Sequence, residues 1–97
     1  MDVNEMKQDE YMKKINQLGI NLELLNIVVG RKTNIPNSIG CYKENNIWYF
    51  YDVNERQDLV VVKSAGEEEI FSYLYSITKA LQKEYDSNYS FRKGDYC

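Results

Sequence analysis

Six carboxylates crowd the middle of a 97-residue chain: Asp52, Glu55 and Asp58 around a polar stretch, then Glu67, Glu68 and Glu69 in a row. Two such groups with different proton affinities can act as general acid and general base, so acid–base chemistry would sit here. The rest of the catalytic inventory is thin. The chain has no histidine, the commonest general base and metal ligand near neutral pH. Cys41 and Cys97 stand 56 positions apart, which is no metal-ligand spacing. Gly30, Gly40 and Gly66 are isolated, so no glycine-rich loop cradles a phosphate. Ser38, Ser64, Ser72, Ser76, Ser87 and Ser90 lack the surrounding motif that would activate a nucleophile. The acids read more simply as a solvated turn and a charged helix start. The expectation is a protein that is not an enzyme, with no metal and no cofactor.

The same acids matter through their field. Formal net charge is −3, from 15 acids against 12 bases. Residues 1 to 44 are neutral overall, with six of each sign, and the excess falls in the second half. Between Asp52 and Glu69 six acids face only Arg56 and Lys63. Such a region would steer a basic partner toward it. It also argues against nucleic acid, whose phosphates call for a basic stripe. No apolar run is long enough to span a membrane. The opening MDVNEMKQDE is too polar for a secretory leader. A cytoplasmic protein with two reduced thiols is expected, and a disulfide from Cys41 to Cys97 is the alternative.

The elements that must position these groups follow from spacing. Tyr11, Ile15 and Leu18 give a helical stripe over residues 4–18, closed by Gly19. Asn21 suits the cap of a second, shorter helix through Val29, with Gly30 after it. RKTNIPNS, residues 31–38, is a loop. Strands are predicted at 39–43, 47–53 and 59–63. They are joined by Asn45-Asn46, which tolerates positive φ, and by the polar turn NERQD. The run Val60-Val61-Val62 has high strand preference. Ser64 to Glu67 has capping-box spacing. Ile70, Leu74, Ile77 and Leu81 then form a helical stripe, flanked by Phe71 and Thr78, that should run to about Tyr85. Residues 86–97 show no periodicity and read as a tail docked through Tyr89, Phe91 or Tyr96. The fold class is therefore α+β in one domain, residues 1–97. A three-stranded antiparallel meander carries two N-terminal helices and one long C-terminal helix.

Four consecutive aromatics, Trp48 to Tyr51, must divide between two faces of a strand. A two-residue loop at Asn45-Asn46 pairs Glu44 with Ile47, Tyr42 with Tyr49, Cys41 with Phe50 and Gly40 with Tyr51. Ile39, Cys41, Trp48 and Phe50 then share a face that suits the core. Tyr42, Tyr49, Tyr51 and Val53 share the other. Two coverings fit that tyrosine face: the N-terminal helices lying over it, or a partner using tyrosines as contact residues. A slip of one residue would exchange the two sets.

The run GCYKENNIWYFYDVNERQDLVVVKSAGEEEIFSYLYSI, residues 40–77, resembles small immunity proteins that protect bacteria from their own polymorphic toxins. It is most similar to immunity protein family fifty-nine. The resemblance lies in Gly40 to Glu44, the aromatic strand Trp48 to Tyr51, the polar turn with Glu55-Arg56, and the triple-glutamate helix start with Phe71, Tyr73 and Leu74. It implies a small, acidic, cytoplasmic, non-catalytic protein that neutralises a cognate toxin domain by binding it. The contact set expected on that reading is Tyr49, Tyr51, Asp52, Glu55, Asp58, Glu67, Glu68 and Glu69. A small regulatory or scaffolding domain, dimerising through the tyrosine face, is the second reading.

Overall fold

The computed structural model describes residues 6–95, with side chains through Ser87. The order is α1 (Gln8–Leu18), β1 (Ile27–Val29), β2 (Ile39–Glu44), β3 (Ile47–Val53), β4 (Leu59–Ala65) and α2 (Glu67–Asp95). The strands form one four-stranded sheet in the order β1-β2-β3-β4. β1 runs parallel to β2, and the other neighbours are antiparallel. The α+β class is as expected, but among the described residues the sheet is mixed with four strands, and there are two helices.

The missing helix is instructive. Asn21 does cap a turn: its Oδ1 accepts from the amides of Glu23 at 3.0 Å and Leu24 at 3.4 Å. The turn then stops. Asn26 takes φ 59°, a left-handed value that breaks a helix. Ile27, Val28 and Val29 follow, three β-branched residues that crowd the preceding turn of a helix and pack well on a pleated strand. They extend and pair with Ile39, Gly40 and Cys41. Leu22 and Leu25 still pack against the core from the turn.

The central hairpin is as predicted. Asn45 and Asn46 have φ 53° and 67°, the pattern of a turn whose twist matches its strands. Glu44 pairs with Ile47, Tyr42 with Tyr49, Cys41 with Phe50 and Gly40 with Tyr51. Cys41, Trp48 and Phe50 are buried in the core cluster with Ile27, Tyr11 and Ile15 of α1, and Ile70, Phe71 and Leu74 of α2. Trp48 meets Phe71 edge-on at 4.9 Å, and Phe50 meets Tyr73 at 5.1 Å.

Both helices start in contact. The Glu67 carboxylate accepts the Gln8 amide of α1 at 3.0 Å, satisfying one of the four unpaired donors there. The Lys7 amide donates to the Glu10 carboxylate at 3.1 Å, and Gly19, at φ 68°, closes α1. Deeper in, the Tyr11 hydroxyl lies 2.7 Å from Thr78 Oγ, which itself donates to the Leu74 carbonyl at 2.7 Å. Thr78 has one hydroxyl proton, so Tyr11 must be the donor of the pair.

Two boundaries of α2 differ from expectation. Ser64 lies in β4, so it is not the cap, and the helix starts at Glu67. It also passes Tyr85 and continues to Asp95. Extending a formed helix adds one hydrogen bond per residue fixed, so it needs no new apolar stripe. The docking expected of Tyr89, Phe91 or Tyr96, and the state of Cys97, free thiol or disulfide, lie outside the described side chains.

The tyrosine face is not covered by the helices, which share the opposite side. The loop of residues 30–38 closes it. Tyr51 is fully buried, lies across Gly40 and donates its hydroxyl to the Arg31 carbonyl at 2.7 Å. Asn37 and Ser38 extend the β2–β3 pairing by exchanging backbone hydrogen bonds with Val53 at 2.8 Å each. Gly40 is required because a Cβ there would overlap the Val28 carbonyl oxygen and lie 2.6 Å from the Tyr51 hydroxyl. Gly40→Ala should therefore lower stability by at least about 1–3 kcal/mol, the usual cost of overpacking. An unchanged urea midpoint would remove Tyr51 from its place over Gly40.

Candidate partner-binding surface

The expected contact residues do not form one patch. Tyr51 drops out, because its side chain is enclosed by the chain's own loop. Tyr49 is half-buried and stacks on Tyr42 with ring centroids 5.1 Å apart. Tyr42 in turn lies 5.8 Å from Tyr51 and carries the Lys32 ammonium over its ring at 4.8 Å. These rings are a built side of the molecule rather than a bare platform. Cross-strand pairs such as Tyr42–Tyr49 stabilise a sheet by roughly 0.2–1 kcal/mol.

The acids divide into two groups at opposite ends of β4. Asp52 is exposed at the end of β3, opposite Val60. Glu55 and Asp58 belong to a turn organised by Asn54. Its Oδ1 accepts from the amides of Arg56 at 2.9 Å and Asp58 at 3.0 Å, and Gln57 takes φ 70°. That side-chain ring forces Glu55 and Arg56 to the tip of the turn, exposed to solvent. Beyond the other end of β4 stand Glu67, Glu68 and Glu69. Glu67 is half-buried on the start of α1. Glu69 pairs with Lys63 at 2.9 Å, and Glu68 is exposed. A seven-residue strand spans about 23 Å, so the two groups act on separate regions.

Between them lies a feature the sequence reading placed in a strand but did not place on the surface. Val60, Val61 and Val62 are 47, 45 and 49% exposed, on a strand with no neighbouring strand on its outer side among the described residues. Exposed apolar residues are ordinary when scattered, and three in succession on an open edge are not. The available signal was the lack of alternation. A uniformly apolar strand is either buried on both faces or stands at an edge, and periodicity does not separate these.

A small open hollow of about 330 Å³ at the Asn54 turn is lined by Asn54, Glu55, Arg56 and Asp58, and two larger concave regions lie on the helical side. A cleft of about 650 Å³ is lined by Lys14, Lys63, Lys79, Ser72, Tyr73 and Tyr75, among others. Lys63 lies over the Tyr73 ring at 5.5 Å, and Lys79 over Tyr75 at 5.3 Å. Ser72 Oγ is buried there, with no hydrogen-bond partner among the described residues. A second hollow, of about 610 Å³, separates Leu18 and Ile20 from Lys79, Gln82, Lys83 and Asp86. The six expected carboxylates line neither of these two larger hollows apart from Glu69, so neither gathers the two acids that acid–base catalysis requires. Among the described residues no three metal-ligating side chains converge, and no helix is long and apolar enough to cross a membrane.

The perturbed groups belong to the interior. Burial pushes the Cys41 thiol up to about 11, and the Tyr11 and Tyr51 hydroxyls up to about 12. Hydrogen bonds partly oppose the shift in each case. All three groups are held protonated when folded, whereas an unfolded chain releases those protons near pH 9 to 10. From there upward the unfolded state binds fewer protons than the folded one, so stability must fall as pH rises. The urea midpoint should thus be unaffected by these groups below pH 8 and decline between about pH 9 and 12, less steeply in Tyr11→Phe. A midpoint flat across that window would contradict the buried placement of all three. Scans against protein-family models and searches of curated proteins and of solved structures found no match to this chain.

Proposed function

We propose that this chain is an immunity protein: it binds a cognate bacterial toxin domain in the cytoplasm of the producing cell and neutralises it without chemistry of its own. The single observation that supports this most is the acid-bracketed surface of β4. Three half-exposed valines supply apolar area, and carboxylates stand at both of their ends. Apolar area with charge at its margin is how protein interfaces combine affinity with steering. The resemblance of residues 40–77 to immunity proteins points the same way. Asp52, Glu55, Asp58 and Glu68 are the acids of the expected set that are exposed and unengaged among the described residues, Asp52 standing beside Val60. Tyr49, half-buried and stacked on Tyr42, contributes only the part left uncovered. A homodimer on the tyrosine face has less support, because the chain's own loop encloses Tyr51 and reaches Tyr42.

The test is association with a toxin domain encoded beside the gene. The two proteins should form a stable heterodimer that has lost toxin activity. Replacing Glu55, Asp58 and Glu68 with lysine should slow association by about tenfold or more at low salt and flatten its salt dependence. Dissociation should change little. A toxin that stays active in saturating amounts of the folded chain would end the proposal, and an unaltered association rate in the triple variant would end the assignment of the acids.

A further inference from the structure

The backbone of β4 carries information that its side chains do not. Val53 gives its amide to the Ser38 carbonyl and its carbonyl to the Asn37 amide, so its backbone groups point away from β4. Alternation along an antiparallel strand then turns those of Asp52 toward β4. Asp52 is paired with Val60, and so Val60 faces inward, while Leu59 and Val61 direct their amides and carbonyls outward. Among the described residues no other strand lies on that side. The pairing is regular from Leu59 to Val61, and the irregularity falls beyond it, where Val62 has no partner across β3. Natural edges are blunted by outward charge, proline or a bulge, and the irregularity of this strand lies beyond the Leu59–Val61 stretch. This strand has no proline, and its one lysine, Lys63, is turned onto α2, paired with Glu69 and lying over Tyr73.

We infer that β4 is a docking edge, onto which the partner adds an apolar strand of its own with basic residues at its ends. This rests on the reading of the chain as a toxin-binding protein and specifies how it binds. The charge pattern selects the occupant. At the turn end, Asp52, Glu55 and Asp58 outnumber Arg56, leaving two net negative charges. At the helix end, Glu67, Glu68 and Glu69 outnumber Lys63 by the same margin. A second copy of this chain paired antiparallel on β4 would bring Glu55 and Asp58 of one molecule against Glu67 and Glu68 of the other. Like charges across an interface oppose it. A strand ending in lysine or arginine meets the opposite sign at both ends. Backbone pairing supplies the affinity in such strand addition, and the valines supply apolar contact.

Amide hydrogen exchange on the full chain, read by NMR, tests this. The probe is the synthetic peptide Lys-Lys-Thr-Val-Thr-Val-Thr-Lys-Lys, with a version carrying glutamates at the ends and another N-methylated at its valines. In the free chain Leu59 and Val61 should exchange quickly and Val60 slowly. The lysine-ended peptide, at ten times its Kd, should slow Leu59 and Val61 by about tenfold, and the two control peptides should not. Val61→Pro, tolerable on an edge because the lost amide points outward, should abolish the effect, and the N-methylated peptide reports the same contact without altering the protein. Slow exchange at Leu59 and Val61 in the free chain would overturn the inference, with sedimentation showing whether a second copy is the cover. Absence of protection by the lysine-ended peptide would overturn it too. A Val61→Pro chain that still neutralises the toxin at full strength would leave the proposed function standing and end the docking edge.

Discussion

Two asparagines with positive φ hold the register on which the rest of the molecule depends. Asn45 and Asn46 close the β2–β3 hairpin in two residues, and a loop that short permits one pairing. Side chains alternate strictly along a strand, so that pairing decides the face of every aromatic between Trp48 and Tyr51. Trp48 and Phe50 meet Phe71 and Tyr73 of α2. Tyr49 and Tyr51 meet Tyr42 on the other side. Moved by one residue, the sheet would offer tyrosine hydroxyls to the helices and a tryptophan to the loop.

The second face shows how a short chain closes a sheet with few residues. No helix lies on it. A loop of nine residues between β1 and β2 crosses it, held by one buried hydroxyl, that of Tyr51, on the Arg31 carbonyl. Gly40 makes room for that ring by having no side chain. The same loop lets β1 run parallel to β2 and so protects the β2 edge of the sheet. The four consecutive aromatics therefore serve the fold: two build the core and two support the loop. That moves the functional question from the sheet faces to the longer of the two edge strands, β4.

The helices illustrate how charged side chains are divided between structure and surface. Of three successive glutamates, Glu67 anchors the start of α1, Glu69 holds Lys63, and Glu68 is left to solvent. A charge run read from sequence appears uniform. Its members differ because a helix sends successive side chains about 100° apart, toward α1, water and β4 in turn. The proposed interaction surface draws on the members with no partner in the fold.

Much was legible in the residues alone. The Asn-Asn turn, the strand on each side of it, the division of the aromatics, the buried stripe of α2 and the left-handed close of α1 all rest on interactions within a few positions, which spacing and residue type report directly. The absence of histidine and the clustering of acids likewise need no structure. What only the tertiary structure decided depends on groups far apart in sequence. Ile27 to Val29 become a strand because β2 offers them a parallel edge, although Asn21 starts a helical turn. Tyr51 is buried because a carbonyl 20 positions away meets its hydroxyl. The valines of β4 are exposed because β1 takes the far edge and the helices take the face with the larger apolar area. Local sequence sets which surfaces a strand has, and the order of strands sets which of them water, or a partner, can reach.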